Sequence, residues 1–355
     1  MRRGGHRVRN GGKGQRAGGE AVVARGGSGR TVRHMKLSYR NPVWPGYLAD
    51  PFVLRAGGEY FAYGTGSDAG NGRQADGRVF PVLRSTDLVE WTYLGGALEA
   101  SGGTAATAYW APEVAERDGR FFMYYAADMR LRVAVAEEPA GPFRDAGRDL
   151  LPAERFSIDA SPFRDPRDGK WYLFFAKDFF DGRVGTGTAV AELADDMLSL
   201  AGEPRTVVRA TSDWQIFQRK RRWYDREWEA WHTVEGPFVV ERGGRYYCFY
   251  SGGCWETEGY GVSYAVADHP LGPWCDEWSE AGPVVLRGVE GKVIGPGHNS
   301  VVAGPDGRTL FLVYHAWDTA KTARRMCIDP LVFTADGPRC DGPSVEARRI
   351  ELGAD

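Results

Sequence analysis

The sequence predicts an all-β fold, a five-bladed β-propeller, and two observations lead to this prediction. A turn glycine followed by an aromatic strand occurs five times, with the glycines at positions 58, 119, 169, 244 and 307. Self-similarity at such intervals is typical of radial or solenoid architectures. Between the copies, alternating apolar and polar residues broken by Gly, Pro and Asp indicate short antiparallel strands. Together the five repeats account for residues 36–340.

Residues 1–35 differ from the rest of the chain, because they are rich in Gly and Arg and low in complexity. Their apolar stretch, residues 21–24, is shorter than the roughly 7 to 15 residues that a secretory signal needs. We expect a disordered leader, or a start placed too far upstream with Met35 as the true one; a basic nucleic-acid arm is the other interpretation. The missing signal predicts a cytoplasmic protein, and secretion stays open if the N-terminus is misplaced. Residues 36–355 are expected to form a single propeller domain.

The composition excludes several classes of protein. Hydrophobic residues make up 43% of the chain and aromatic residues 13%, which excludes general disorder. The net charge of −2 provides no global field for nucleic acid or an anionic membrane, and there is no run of about 18 apolar residues to span a bilayer. Five scattered cysteines are too few for a disulfide framework. We therefore expect neither a nucleic-acid nor a membrane partner, and the sequence predicts no oligomeric state.

A polar head precedes each repeat glycine. The heads are Asp50-Pro-Phe52, Trp110-Ala-Pro-Glu113, Asp159-Ala-Ser-Pro-Phe163, Glu235-Gly-Pro-Phe238 and Gly297-His298-Asn-Ser300. Equivalent positions of successive propeller blades converge on one axis. Packing explains the aromatic strands, but it requires no acid before Pro-Phe, and a buried carboxylate is costly unless it is paired or used. We therefore expect Asp50, Asp159, Glu235 and His298 to meet in one pocket.

Three converging acids are suited to the cleavage of glycosidic bonds. That reaction uses two carboxyl groups, of which one protonates the leaving oxygen and the other serves as base or nucleophile. The proton donor needs a raised pKa, which burial or a neighbouring negative charge supplies. A division of labour follows in which Asp50 is the base, Glu235 the proton donor and Asp159 the charge between them.

At these acids the chain resembles glycoside hydrolase family 43, whose members include inverting α-L-arabinofuranosidases, β-xylosidases and arabinanases built on a five-bladed propeller. The matching motifs, in order and in blade position, are Leu48-Ala-Asp50-Pro-Phe52, Ser157-Ile-Asp159-Ala-Ser-Pro-Phe163 and Val234-Glu235-Gly-Pro-Phe238. The resemblance extends over residues 40–340. It implies that Asp50 is the general base, that Asp159 modulates the pKa of the acid, and that Glu235 is the general acid.

The resemblance also implies roles for residues other than these acids. Trp110 would line the sugar subsite, with a buried blade filler as the alternative, and Glu113 would be structural. His298 would contact the active-site carboxylates or, through water, a calcium ion at the propeller axis, and no cofactor is required. Arg324, in register with the last blade, would contact substrate, whereas Arg325 would face away or pair locally.

Residues 212–232, which lead into the strand of Glu235, depart from the family pattern because they are rich in Trp and Arg. Their position favours a wall of the sugar subsite, in which Trp faces such as that of Trp231 stack on sugar rings and Arg donors bind hydroxyls. A packing insert and a nucleic-acid patch are the two alternatives. A wall here would close the pocket at one end, as suits an exo-acting enzyme.

These observations lead to the hypothesis of an inverting exo-glycosidase that releases terminal α-L-arabinofuranose or β-D-xylose from plant-type oligosaccharides or polysaccharides. The carboxyls of Asp50 and Glu235 are then expected to lie roughly 6.5–9.5 Å apart. An endo-acting arabinanase and a non-catalytic sugar-binding propeller are the alternatives. Retaining fructan-cleaving propellers carry a Glu-Cys motif, whereas Gly236 follows Glu235 here. The short sequence after the last blade favours an arabinofuranosidase, since many of the xylosidases that the chain resembles carry a further β-sandwich.

Overall fold

The computed structural model describes residues 35–67, 72–100 and 106–353, and in these ranges the chain is built from β-strands. The one helical element in them is a single 3-10 turn, Asp213–Gln215. The prediction of an all-β fold is therefore confirmed. The predicted leader lies outside the described residues except for Met35, which begins the first strand. None of the ranges described contains a helix that is long and apolar enough to span a membrane.

Within these ranges the strands form five antiparallel units of four and one terminal pair. The first unit is β2 (Ala49–Ala56), β3 (Glu59–Thr65), β4 (Val79–Ser85) and β5 (Thr92–Glu99), and the second is β6 (Tyr109–Arg117), β7 (Arg120–Ala127), β8 (Arg130–Ala136) and β9 (Phe143–Asp149). The third is β10 (Ser157–Arg164), β11 (Trp171–Phe179), β12 (Gly185–Glu192) and β13 (Arg205–Val208). The fourth is β15 (Arg226–Arg242), β16 (Arg245–Gly252), β17 (Gly261–Ala267) and β18 (Leu286–Arg287), and the fifth is β19 (Ile294–Ala303), β20 (Leu310–Trp317), β21 (Arg324–Thr334) and β22 (Gly337–Cys340). The terminal pair is β1 (Met35–Tyr39) with β23 (Arg348–Leu352), and β14 (Ile216–Trp223) pairs with the first part of β15.

The first strands of the units form a closed ring. They pack in the order β2, β6, β10, β15 and β19, and β19 packs back on β2. Parallel pairing of β5 with β9 and of β12 with β15 joins neighbouring units. This arrangement is consistent with the five predicted blades, because the first strand of every propeller blade faces a common axis.

The repeat glycines lie in the hairpins between the first and second strands of the units. Gly58, Gly119, Gly169, Gly244 and Gly307 have φ angles of 85°, 75°, 76°, 82° and 70°, in the left-handed region that favours glycine. The aromatic strand that follows each glycine is the second strand, and most of its large rings are buried. The repeat therefore marks a tight hairpin followed by a core strand.

Each first strand also contains a bulge at the same place, and the bulge residue has a left-handed backbone in every unit. These residues are Asp50, Ala111, Asp159, Gly236 and His298, with φ angles of 50°, 47°, 58°, 57° and 48°. Bulges re-aim side chains and are common beside active sites, and left-handed non-glycine residues carry strain of the kind stored at functional sites. The five equivalent positions form one ring around the axis.

Two phenylalanine side chains fill the axis next to the five bulge residues. Phe52 and Phe238 each lie two residues after a bulge residue, and their ring centroids are 6.4 Å apart. Their units are not neighbours in the ring, so the contact crosses the axis. Glu113 has the equivalent position in the second unit, where burial raises its pKa well above the usual value. A neutral, buried Glu113 agrees with the structural role expected for it.

Candidate active site

Three of the four converging residues occupy equivalent bulge positions, namely Asp50, Asp159 and His298. Glu235 does not, because Gly236 holds the bulge position of the fourth unit and Glu235 precedes it. Glu235 is instead equivalent to Trp110, which precedes the bulge of the second unit. Glu235 and Trp110 therefore start one residue away from the ring that carries the two aspartates, an offset that the spacing of the sequence motifs did not reveal.

Asp50 lies in a cage of polar groups. Its Oδ2 accepts a hydrogen bond from Thr65 Oγ1 at 2.5 Å, and its Oδ1 lies 3.1 Å from Nη1 of Arg324. Nδ1 of His298 and Nδ1 of His315 lie 3.4 and 3.2 Å from the same oxygen. Burial opposes ionisation of the carboxyl, but the polar groups around it, first among them the guanidinium of Arg324, outweigh this effect, so the pKa of Asp50 is well below its usual value. Asp50 is therefore an anion at neutral pH, as a general base must be.

The two imidazoles beside Asp50 are neutral at pH 7. Burial lowers the pKa of His315 to about 4 and also lowers the pKa of His298. The backbone N–H of Asp50 donates to Nδ1 of His315 at 3.1 Å, which places the imidazole proton on Nε2. Because Nδ1 cannot then donate to the carboxylate as well, Arg324 is the permanent charge that keeps Asp50 ionised.

Two further bulges are held, like that of Asp50, by a hydrogen bond from the backbone N–H of the bulge residue to a side chain of the neighbouring unit. Thr65 Oγ1 accepts from the backbone N–H of Ala111 at 2.9 Å, and Ser251 Oγ accepts from that of His298 at 2.7 Å. Thr65, Ser251 and His315 have equivalent positions in the second strands. None of the three was predicted from the sequence to be functional. Each follows the last aromatic residue of its repeat by one or two positions, which is the signal that could have found them.

Asp159 and Glu235 form the second half of the site. The backbone N–H of Gly236 donates to Asp159 Oδ2 at 3.0 Å, and the hydroxyl of Tyr260, which the sequence analysis missed, donates to Glu235 Oε1 at 2.8 Å. Burial and then the charge of Asp50 raise the pKa of Glu235 to about 7. Burial and the charges of Glu235 and Asp50 raise the pKa of Asp159 well above its usual value. The pair therefore retains a proton near neutral pH, as a general acid requires.

Arg324 is positioned by aromatic side chains as well as by Asp50. Its guanidinium lies 4.3 Å from the ring centroid of Trp255, and its Nε donates to the hydroxyl of Tyr47 at 3.2 Å. Trp255 in turn stacks on Trp317 with ring centroids 5.8 Å apart. Arg325 forms an ion pair with Asp318 instead. Contact between Arg324 and substrate stays a prediction, and the placement of the two arginines agrees with it.

The structure distinguishes the two tryptophans that were predicted to contact substrate. Trp110 is half-buried at the position equivalent to Glu235, and its contact with sugar stays a prediction. Trp231 is only 1% exposed, because its ring packs against Trp228 and Tyr224 with centroids 5.5 and 6.2 Å away. A ring with no free face cannot stack on a sugar. We therefore correct the role of Trp231 from substrate contact to packing of the hairpin formed by β14 and β15.

The side chains around His298 are not a set of direct metal ligands, and a calcium ion that His298 contacts through water stays a prediction. Its Nδ1 faces Asp50, and in the part of the chain that the structure describes no three His, Cys, Asp or Glu side chains are grouped as metal ligands. Calcium is usually bound by six to eight oxygen ligands, which this group of residues does not supply. The side chains thus do not fit direct ligation of calcium, and no step of the chemistry is derived through it.

The contrasting protonation states of Asp50 and Glu235 predict how activity depends on pH. Asp50 acts when it is ionised, and its lowered pKa should keep it active down to its usual value of 3.8. Glu235 acts when it is protonated, so kcat/KM should fall as the pH rises through about 7. Asp159→Asn removes the second carboxyl of a pair that retains a proton, so that Glu235 no longer loses its proton beside another acid, and it should move this alkaline limb to lower pH. An alkaline limb that the substitution leaves in place or moves to higher pH would contradict the role of Asp159.

Comparisons of the sequence and of the fold with known proteins match this chain to glycoside hydrolases. The sequence profile described as glycosyl hydrolases family 43 matches residues 39–338. The chain is 31% identical over 319 residues to the β-D-galactofuranosidase xynD of Aspergillus niger, with 84% of the chain and 83% of that protein covered. It is 30% identical over 228 residues to an extracellular exo-α-(1→5)-L-arabinofuranosidase of Streptomyces chartreusis, with 60% of the chain and 64% of that protein covered. A solved structure of a thermostable family-43 glycoside hydrolase matches with a TM-score of 0.75 and 32% identity, over 87% of this chain and 97% of that one.

Proposed function

The chain belongs to glycosyl hydrolases family 43, and from this premise we propose that it is an inverting, exo-acting glycosidase that releases terminal α-L-arabinofuranose. One observation carries the proposal. Of the carboxyls that meet at the axis, Asp50 is held ionised by Arg324, whereas Glu235 has its pKa raised to about 7. Two acidic groups whose pKa values are driven apart in one site can serve as base and acid of the same reaction.

Each carboxyl then has one task. Glu235 protonates the glycosidic oxygen as the bond to the anomeric carbon breaks, and Asp50 takes a proton from the water that attacks the opposite face of the sugar. Asp159 forms a coupled pair with Glu235 that retains a proton near neutral pH, and it is fixed by the backbone N–H of Gly236. Tyr260 orients Glu235 through its hydroxyl. After the reaction Glu235 has lost a proton and Asp50 has gained one, and exchange with solvent restores both.

Exo action is supported by the hairpin of residues 216–232, which β14 forms with the first part of β15 and which we call the lip hairpin. It belongs to the same strand as Glu235 and rises directly from it. A wall that closes the pocket at one end leaves room for a terminal sugar but not for a chain that continues past it. An endo-acting arabinanase would need an open groove there.

A second sugar is favoured by one comparison, the 31% identity to a β-D-galactofuranosidase over most of both chains. β-D-Galactofuranose has the ring configuration of α-L-arabinofuranose and carries one more hydroxymethyl group at its exocyclic carbon. The same pair of carboxyls could thus act on either sugar, and the choice would depend on space beyond the furanose ring. β-D-Xylopyranose, the other sugar predicted from the sequence, has a six-membered ring.

The proposal is tested by the release of nitrophenol from three aryl glycosides, namely α-L-arabinofuranoside, β-D-galactofuranoside and β-D-xylopyranoside. We expect the highest kcat/KM on the arabinofuranoside. A higher kcat/KM on one of the other two glycosides would change the sugar that we assign but not the proposed mechanism. Folded protein that turns over none of them would support an endo-acting enzyme if it cleaves arabinan, and a sugar-binding propeller if it does not.

A further inference from the structure

The tip of the lip hairpin lines a cavity that the proposed reaction does not use. The cavity has a volume of about 590 Å³ and is lined by residues 222–226 of the tip, with Met129 and Arg155 on the facing side. Trp223 and Tyr224 provide ring surface and are both half-buried. Arg155, Arg222 and Arg226 provide three positive charges, and all three side chains are exposed.

The three arginines have few negative partners. Asp225 is the one acid among the lining residues, and none of the three guanidiniums forms an ion pair within the described ranges. Two of them lie on aromatic faces instead, Arg155 at 4.3 Å from the ring centroid of Tyr224 and Arg226 at 3.7 Å from that of Trp228. Stacked guanidiniums are held in place while their N–H groups stay free to donate at the edges. The cavity therefore presents an excess of positioned donors, with Asp225 as the one carboxylate among its lining residues.

A second polar cavity of the molecule differs in this respect. It has a volume of about 670 Å³ and is lined by residues of the second and third units. Two of its three cations are paired, because Lys170 lies 2.8 Å from a carboxylate oxygen of Glu192 and Arg117 lies 3.7 Å from one of Asp195, and Arg164 is the third. The cavity at the lip hairpin differs from it in that none of its three arginines is in an ion pair with another residue that the structure describes.

The cavity at the lip hairpin is connected to the candidate active site through both of its walls. On one side, the backbone O of Met129 accepts from the N–H of Ser157, two residues before Asp159. On the other, Arg221 is enclosed by the rings of Phe217, Trp223 and Trp231 at 4.8, 4.8 and 5.2 Å. The charge of Arg221 acts on Glu235 and on Asp178, to which Tyr224 donates a hydrogen bond at 2.6 Å. Residues on both sides of the cavity thus reach residues of the candidate active site or their sequence neighbours.

We propose that this cavity is an outer subsite for a uronic acid residue of the polymer from which the terminal sugar is removed. This proposal rests on the proposed function and adds the class of substrate, a glycoside attached to an acidic polysaccharide. Arginine forks match carboxylates in bidentate geometry, whereas a neutral sugar would leave three charges without counterparts. The rings of Trp223 and Tyr224 offer flat faces for the sugar itself. Single-stranded nucleic acid uses a similar mixture of cations and rings, and is tested as the competing ligand.

The test is calorimetric titration of the folded Asp50→Asn variant, in which turnover is expected to be about 10²- to 10⁴-fold slower, with trigalacturonate and with neutral arabinotriose at low ionic strength. We expect trigalacturonate to bind more tightly, and its affinity to fall about tenfold or more in Arg222→Ala/Arg226→Ala and also in Arg155→Ala, which lies on a different loop. Affinity should also fall as salt is added, because exposed charges are screened. Arg117→Ala, in the cavity of the second and third units, is the matched control, because Arg117 pairs with Asp195 there, and it should bind as before.

Equal affinity for the two trisaccharides, or a loss that is as large in Arg117→Ala as in the lip variants, would overturn the subsite. So would a single-stranded oligonucleotide or inorganic sulfate that binds as tightly as trigalacturonate. Turnover of aryl glycosides by the unmodified enzyme separates this proposal from the proposed function. Charge-selective binding without any turnover would support the subsite and contradict the proposed glycosidase function. Turnover without charge-selective binding would contradict the subsite alone.

Discussion

Replacement of Asp50 by Asn is expected to lower kcat by about 10²- to 10⁴-fold on every glycoside that the enzyme cleaves. The amide keeps the shape of the side chain but cannot take a proton from the attacking water. Asp159 cannot replace it, because burial and neighbouring charges favour its protonated form. The measurement is kcat on aryl glycosides with good and with poor leaving groups, and the loss should be similar for both.

A separate measurement must show that the Asp50 variant is folded. Removing one partner of a buried ion pair can cost about 3–5 kcal/mol, and Arg324 would lose its carboxylate here. Circular dichroism and the thermal unfolding midpoint of Asp50→Asn are therefore compared with those of the unmodified enzyme. A folded variant that retains more than about a tenth of the original kcat would show that Asp50 is not the base.

Replacement of Glu235 by Gln is expected to produce a loss that depends on the leaving group. With a poor leaving group such as a sugar, kcat should fall by about 10²- to 10⁴-fold, because the departing oxygen then receives no proton. With dinitrophenol, which leaves as a stable anion, kcat should stay near the original value. Gln keeps an acceptor for the hydroxyl of Tyr260, so the side chain should remain in place.

The matched comparison for Glu235 is its neighbour in the mechanism, Asp50. The dependence on the leaving group should be present in Glu235→Gln and absent from Asp50→Asn. Equal losses of Glu235→Gln on both classes of substrate would contradict its role as proton donor. The alkaline limb of the pH profile should also disappear in Glu235→Gln, since no group with a pKa of about 7 then remains at that position.

The repeat made the architecture and the three acids predictable from the sequence. Five turn glycines indicated five hairpins, and the three acids precede their glycines by 8, 10 and 9 residues. What the spacing could not show was the bulge in each first strand, since a left-handed residue is recognisable from sequence when it is Gly236 but not when it is Ala111 or His298. The one-residue offset of Glu235 from Asp50 and Asp159 depends on that bulge.

The surroundings of the acids were harder to predict than the acids. Thr65 and Ser251 are ordinary residues in a strand, and they matter because each bonds to the backbone of the next blade. Tyr260 lies far from any motif, and packing alone brings its hydroxyl to Glu235. The prediction for Trp231 was wrong in the opposite sense, because the Trp-rich composition indicated an exposed ring that stacks on sugar, whereas the fold buries this ring. Residue type suggests chemistry, but exposure depends on the tertiary structure.

The central claim is that Asp50 activates water on the opposite face of the sugar from Glu235, and the configuration of the first product tests it most directly. Proton NMR of a fresh reaction with the preferred glycoside resolves the two anomers of the released sugar before they equilibrate. The claim predicts inversion, so that an α-L-arabinofuranoside first yields the β-anomer. First appearance of the α-anomer would mean retention through a covalent intermediate, and would contradict the assignment of Asp50 as a general base.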